Sequence, residues 1–315
     1  MTYSSGNLIL ASDYNALAWG GTQSYRTTPN NVAYVMGLGS GEYGYGQDLS
    51  AINNVTNTDL INQAQWQGLV NLINKGRQHQ GNAAIGGNYT TESTITAFAN
   101  VVTAIDSITL YKDSFFEQGT VVTGTNLVAN YNLPATTLAT NVPIDTTVTF
   151  ASADAARYFF NAGGELRFYC SGAAVDTNPR SQSVADMISE MGGVNTFRKQ
   201  TNGGRIGSGG TLNTNNTALG YYDNVYNTPQ TIVQVTSDNS GYFAYTSDFA
   251  RIEIYTSDPD TTRGSKGRTV IFRIYFSSAA TTSERAINVN ITRRVDIVPP
   301  STTYLSNSWG SITVS

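Results

Sequence analysis

Thr269-Val270-Ile271-Phe272-Arg273-Ile274-Tyr275-Phe276 is an unbroken run of β-branched and aromatic residues with one arginine. Read at period two, Val270, Phe272, Ile274 and Phe276 share one face, with Thr269, Arg273 and Tyr275 on the other. That pattern is a strand with one buried face. It returns in Ala250-Arg251-Ile252-Glu253-Ile254-Tyr255, in Thr231-Ile232-Val233-Gln234-Val235 and in Ile287-Asn288-Val289-Asn290-Ile291. Upstream it recurs in Thr147-Val148-Thr149-Phe150 and in Glu165-Leu166-Arg167-Phe168-Tyr169-Cys170, after a Gly163-Gly164 turn. Turn formers separate several of these runs: Ser237-Asp238-Asn239-Ser240-Gly241, Ser257-Asp258-Pro259-Asp260 and Ser265-Lys266-Gly267. Short alternating strands with such turns predict an antiparallel β-sandwich over 148–315. One helix, Ser181 to Met191, interrupts it, with Val184, Met187, Ile188 and Met191 on its apolar face. Residues 199–220, rich in Gly, Asn and Thr, read as a mobile loop.

The first 118 residues read differently. Ser12-Asp13 caps a short helix through Ala18, and Val32 to Met36 reads as a short strand in a Gly-, Asn- and Tyr-rich loop. Thr58-Asp59 opens a longer helix with Ile61, Leu69, Val70 and Ile73 on one stripe beside Trp66, stopped by Gly76 or Gly81. Residues 91–106 predict a second, through Ile95, Phe98, Val101, Val102 and Ile105, and the two should pack as a hairpin. Residues 119–147, with Pro134 and Pro143, lack a helical period and read as an extended linker or edge strand. The expected class is therefore α+β, mainly β. A helical, loop-rich docking region (1–118) leads through a linker (119–147) to the sandwich (148–315).

Composition narrows the function. The chain has 315 residues, enough to bury a large core without disulfide or metal staples. Charged residues are only 13%, against roughly 25% in average domains, while there are 19 tyrosines. Large permanent interfaces share that bias, because charges are depleted and aromatics enriched in them; secreted lectin-like domains share it too. The net charge of -4 and the lack of a basic stripe speak against nucleic acid. No apolar run reaches the length of a membrane span, and the start shows no signal-peptide pattern. The single cysteine, Cys170, forms no internal disulfide, which suits synthesis in a reducing compartment.

Chemistry is sparse. The one histidine, His79, sits at an expected helix end, where it favours the C-terminal dipole. One His and one Cys exclude zinc sites built on those ligands. Gly39-Ser40-Gly41-Glu42-Tyr43-Gly44 matches a dinucleotide fingerprint in letters, but a poor helix former follows it and no βαβ unit surrounds it, so it reads as a turn. Asp258 and Asp260, with Asp248, lack the spacing of a calcium loop. No cofactor is expected. Tyr221, Tyr222, Tyr226, Tyr242 and Tyr245 cluster around turns and are the candidate aromatics for a subunit contact or a sugar platform.

Two regions resemble a known group. Asp154-Ala155-Ala156-Arg157-Tyr158-Phe159-Phe160-Asn161-Ala162-Gly163-Gly164-Glu165-Leu166-Arg167-Phe168 resembles a segment of virion structural proteins of tailed phages, marine and cyanobacterial ones especially. Leu10 to Asn15, Gly39 to Gln47 and the helix around Trp66 with its trailing His79-Gln80-Gly81 resemble the N-terminal region of the same group. The resemblance implies a tail or tail-fibre component without an active site. Its partners would be other virion proteins and copies of itself, and a host surface glycan where it serves attachment. A carbohydrate-binding module and a capsid decoration protein are the alternatives. Arg157 and Arg167 are expected to pair with acidic groups on a neighbour or to stay on the surface.

Overall fold

The computed structural model describes residues 9–20, 31–37, 44–56, 60–86, 98–110, 114–133, 142–192, 194–197, 205–206, 211–212, 229–237, 248–256, 267–277 and 286–315. Across them the chain is α+β, mainly β. The helices are α1 (Ala11–Ala18), α2 (Val32–Met36), α3 (Gln63–His79), α4 (Phe98–Leu110), α5 (Ala153–Asn161) and α6 (Pro179–Glu190). The strands are β1 (Leu127–Leu133), β2 (Val142–Phe150), β3 (Glu165–Ala174), β4 (Val194–Phe197), β5 (Arg205–Ile206), β6 (Thr211–Leu212), β7 (Gln230–Thr236), β8 (Phe249–Tyr255), β9 (Thr269–Ser277), β10 (Ile287–Val298) and β11 (Ile312–Val314). They form two antiparallel sheets, ordered β1-β10-β3-β4-β5 and β11-β2-β9-β8-β7-β6.

The two sheets face each other across the side chains that the alternation selects. Val270, Phe272, Ile274 and Phe276 of β9 are buried, as are Leu166, Phe168 and Cys170 of β3. Phe168 stacks on Phe272 with ring centroids 4.9 Å apart and planes 3° from parallel. Tyr131 of β1 meets Phe276 edge-on at 6.4 Å. The helix α6 starts at Pro179, with Asn178 accepting from Arg180 N, and packs on β3 and β10. It comes so close to β3 that a Cβ on Gly172 would sit 2.6 Å from the carbonyl oxygen of Ala185.

Several expectations change. Val32–Met36 is a helix, not a strand: Asn31 caps it by accepting from Tyr34 N at 2.9 Å. Five residues are too few to separate the two periods, and Val32, Val35 and Met36 are buried at helical spacing. The helix α3 starts at Gln63 behind an Asn62–Gln65 capping box. Gly76 lies inside α3, where a Cβ would come 2.5 Å from Met36 Sδ, and Gly81 (φ 78°) follows the helix end. The helix pair α3 and α4 packs as expected.

Of the two readings of 119–147, extended linker or edge strand, the described residues take the second. They contribute the edge strand β1 and most of β2, which lies between β9 and β11. Of the expected loop 199–220 only 205–206 and 211–212 are described, and there they form β5 and β6, which pair with opposite sheets; the rest lies outside the described residues. One continuous cluster of buried apolar side chains includes Tyr14, Leu69 and Ile105 of the helical part and Phe168, Phe272 and Trp309 of the β part. No helix among the described residues is long and apolar enough to cross a membrane.

Replacing Gly172 by valine should push α6 away from β3, because the atoms it would meet are backbone. The expected loss is about 2–4 kcal/mol in urea unfolding. A variant as stable as the parent would show that the helix seats without this close approach.

Candidate functional site

The segment Arg157 to Gly164 is a buried junction. Ser152 caps α5 by accepting from Ala155 N at 3.0 Å. The helix then buries Phe159 and Phe160 completely. Their rings join a chain that runs from Phe150 through Phe159 and Phe160 to Phe197 and Phe272. Gly163 (φ 93°) turns the chain into β3, and a Cβ there would strike the Phe115 ring at 2.7 Å.

The helical part docks on this turn. His79, the last residue of α3, lies 3.1 Å through Nε2 from the carbonyl oxygen of Ala162. A carbonyl only accepts, so Nε2 carries the proton and donates. The Asn161 amide donates to the carbonyl of Gly44 at 2.9 Å, and Gln118 Nε2 donates to that of Gly163 at 3.1 Å. Gly46 (φ 66°) lies against the Tyr158 ring, 2.4 Å from where a Cβ would be. Gln80 donates to the Tyr45 hydroxyl at 2.8 Å, and Gln47 exchanges hydrogen bonds with the backbone of Ser306. The three separately quoted pieces, 44–47, 79–81 and 154–164, thus meet at one place. Within the chain Arg157 is buried and its Nη2 donates to Asp154 at 2.7 Å, while the half-buried Arg167 donates through Nη2 to Glu165 at 3.3 Å.

Other groups gather on the outer face of the six-stranded sheet. Register aligns Asp145 of β2 with Arg273 of β9 and Glu253 of β8. Arg273 donates twice to Asp145, through Nε at 2.7 Å and Nη2 at 2.9 Å, and once to the Tyr255 hydroxyl at 2.7 Å. Tyr255 donates to Asp145 at 2.9 Å. Burial alone would push the Asp145 carboxyl up, but the hydrogen bonds of Arg273 and Tyr255 and the two arginine charges hold it below its usual value. Burial first, then the Asp145 charge and hydrogen bond, push the Tyr255 hydroxyl up to about 12. Next to this row, Arg251 pairs with the buried Glu253 at 2.6 Å and lies over the Tyr275 ring at 4.3 Å. Positive and negative groups are satisfied in pairs, so the face is a closed lattice with little charge left for a ligand.

A cleft of about 490 Å³ opens between Glu117–Thr120 and Pro299–Thr302, with Asn307 and Trp309. The Glu117 carboxyl is held low by the hydroxyls of Thr303 and Ser301, which both donate to it. A general acid needs its affinity raised, whereas Asp48, Glu117 and Asp145 are all lowered. Among the described residues no group of three or more His, Cys, Asp and Glu side chains could hold a metal ion.

The candidate tyrosines Tyr221, Tyr222, Tyr226, Tyr242 and Tyr245, together with Asp258 and Asp260, lie outside the described residues. Of the dinucleotide-like turn only Gly44 is described, and residues 44–49 after it form no helix that could face a phosphate. The Asp145–Arg273–Glu253 row escaped the sequence reading. Period two places Arg273 and Glu253 on outer faces, but only the strand register brings them side by side. No family model, curated protein or solved structure matches the chain.

Asp145 favours the charged form when folded, so its contribution is present above about pH 4 and fades as the pH falls through the lower folded value. Asp145→Asn should cost roughly 1 kcal/mol at pH 7, the half-exposed position keeping the loss small. The gap to the parent should narrow as the pH falls below about 4 and the folded carboxyl takes up its proton. Urea unfolding across pH checks this, and a gap independent of pH would assign the loss to packing instead.

Proposed function

We propose that the chain is a non-enzymatic structural subunit of a tailed-phage virion, sited in the tail, baseplate, neck or fibre apparatus. One observation carries this reading. Three of the sequence pieces that resemble such proteins, 44–47, 79–81 and 154–164, lie far apart in the chain, yet they form a single buried junction. Residues that share one architectural task would be retained together, so the resemblance concerns the architecture of the subunit. The role that follows is mechanical. The subunit joins a helical layer to a sandwich and presents uncharged surfaces to its neighbours, which would be other virion proteins and further copies of itself.

Composition and chemistry agree with that role. Charge is 13% of residues, the one histidine is committed to a structural hydrogen bond, and the displaced carboxyls all favour the ionised, paired state. A carbohydrate-recognition role rests on the cleft at Glu117. Beside it, the exposed Phe116 meets Tyr304 edge-on at 5.9 Å, an arrangement that could offer an aromatic face to a sugar.

The test is the composition of particles. In virions purified from infected host cells, peptide mass spectrometry should find the chain, and gold-labelled antibody should mark the tail or its attachments. Absence from the particles would sink the proposal. Label confined to the head would move the chain to capsid decoration. Glycan-array binding that is lost on Phe116→Ala would favour recognition over a purely mechanical role.

A further inference from the structure

The four sheet edges are unequal. Strands β5 and β6 have two residues each and β11 has three, and very short strands are one way proteins blunt an edge. Where β2 continues past β11, its residues include Pro143 and Asp145, two further edge-protecting types. The fourth edge is β1. It pairs with β10 over seven residues, Leu127 to Leu133, and no described strand pairs with its other side. It is not short, and it has neither proline nor charge. From Gln118 to Ile144 the sequence contains no charged residue at all. Val128 is 64% exposed on this strand, and Val122, on the segment leading into it, is 56% exposed. A long, neutral, partly apolar edge invites pairing with another chain unless something covers it.

The edge fits a second copy of itself. In a two-fold contact residue i meets residue j of the copy and j meets i, and only a residue on the axis meets itself, so a single-sign edge would repel its copy, and this edge has no charge. Pairing the whole strand antiparallel with its copy centres the axis on Asn130, midway between Leu127 and Leu133. Small Ala129 then falls opposite the large Tyr131 of the second copy, and Val128 opposite its Asn132. The outer face continues in the same uncharged chemistry, because Asn130 Nδ2 donates to Asn288 at 3.0 Å and to Asn290 at 2.9 Å. The close approach of Gly124 to the carbonyl of Val295 and its hydrogen bond to Asp296 break the regular ladder and bound the free edge on the N-terminal side.

We propose that β1 is the dimerisation strand of this chain. A second copy adds its β1 antiparallel about an axis at Asn130, so that two five-stranded sheets become one continuous sheet. This inference does not rest on the virion reading and can fail independently of it.

The experiment uses the full chain in solution. Sedimentation should show a dimer. Asn130→Lys, which sets two like charges on the axis, should weaken it about 100-fold with an unchanged circular dichroism spectrum. Asn130→Cys should form a disulfide-linked dimer under mild oxidation, since directly opposed residues of antiparallel strands have Cα atoms about 4.5–5.5 Å apart. The native Cys170 is buried and should not compete. Val128→Cys alone should not cross-link, but combined with Asn132→Cys it should. A monomer at tens of micromolar overturns the proposal, as does a dimer untouched by Asn130→Lys with no cross-link at position 130. A chain that is monomeric alone and pairs through β1 only with a different virion protein overturns it too.

Discussion

The architecture depends on a meeting of two helix ends. The last carbonyls of any helix lack partners within it, and burying them unpaired costs about as much as a lost hydrogen bond. At the end of α5 the Ala162 carbonyl is buried inside the molecule, and the donor that reaches it is His79, the last residue of α3. The same turn gives up the Asn161 amide to Gly44 and takes one from Gln118. Each bond crosses between parts of the chain that composition alone would separate. The helical layer therefore cannot leave the sandwich without stranding buried polar groups on both sides. Phe159 and Phe160 add the apolar term on the sandwich side of the turn, and their rings reach into the aromatic chain between the sheets.

The constraint explains what could and could not be read from the sequence. Alternation in Thr269 to Phe276 and Ala250 to Tyr255 reported burial on one face, and the sandwich followed from it. Helical spacing in α3 and α4 did the same. Val32 to Met36 failed because five residues hold too little period, and because the deciding feature is the Asn31 cap. Leu127 to Leu133 read as linker or edge strand without a decision between them, because an edge strand buries little. Its Tyr131 is covered while Val128, Asn130 and Asn132 are open, and Asn is depleted in strands. His79 was placed correctly at a helix end, but its task is set by Ala162, 83 residues away, and no local pattern carries that information.

The site followed the same division. Arg157 to Gly164 stood out in the sequence through resemblance. Their burial leaves no room for larger side chains, since Gly163 and Gly164 admit no Cβ beside Phe115 and Phe159. The outer-face lattice of Asp145, Arg273, Tyr255 and Glu253 was invisible, although every member sits on a strand that was recognised or adjoins one. Membership in a strand gives the face; only pairing register gives the neighbour.

The distribution of charge links these findings to assembly. The chain has few charges, and on the six-stranded sheet those it has are neutralised in place: Arg273 by Asp145, Arg251 by Glu253. Groups paired at contact distance project a weak field, so this face adds little long-range steering. The edge at β1 has no charge to add. An association through such surfaces must be decided at short range, by backbone hydrogen bonds and by the fit of Ala129, Tyr131 and their neighbours. Electrostatically steered complexes weaken with salt because their attraction is screened over about 8 Å at physiological ionic strength. An interface built on a neutral strand edge lacks that dependence. It gives up fast encounter and gains insensitivity to the ionic surroundings, a property suited to a subunit whose contacts must hold under changing ionic conditions.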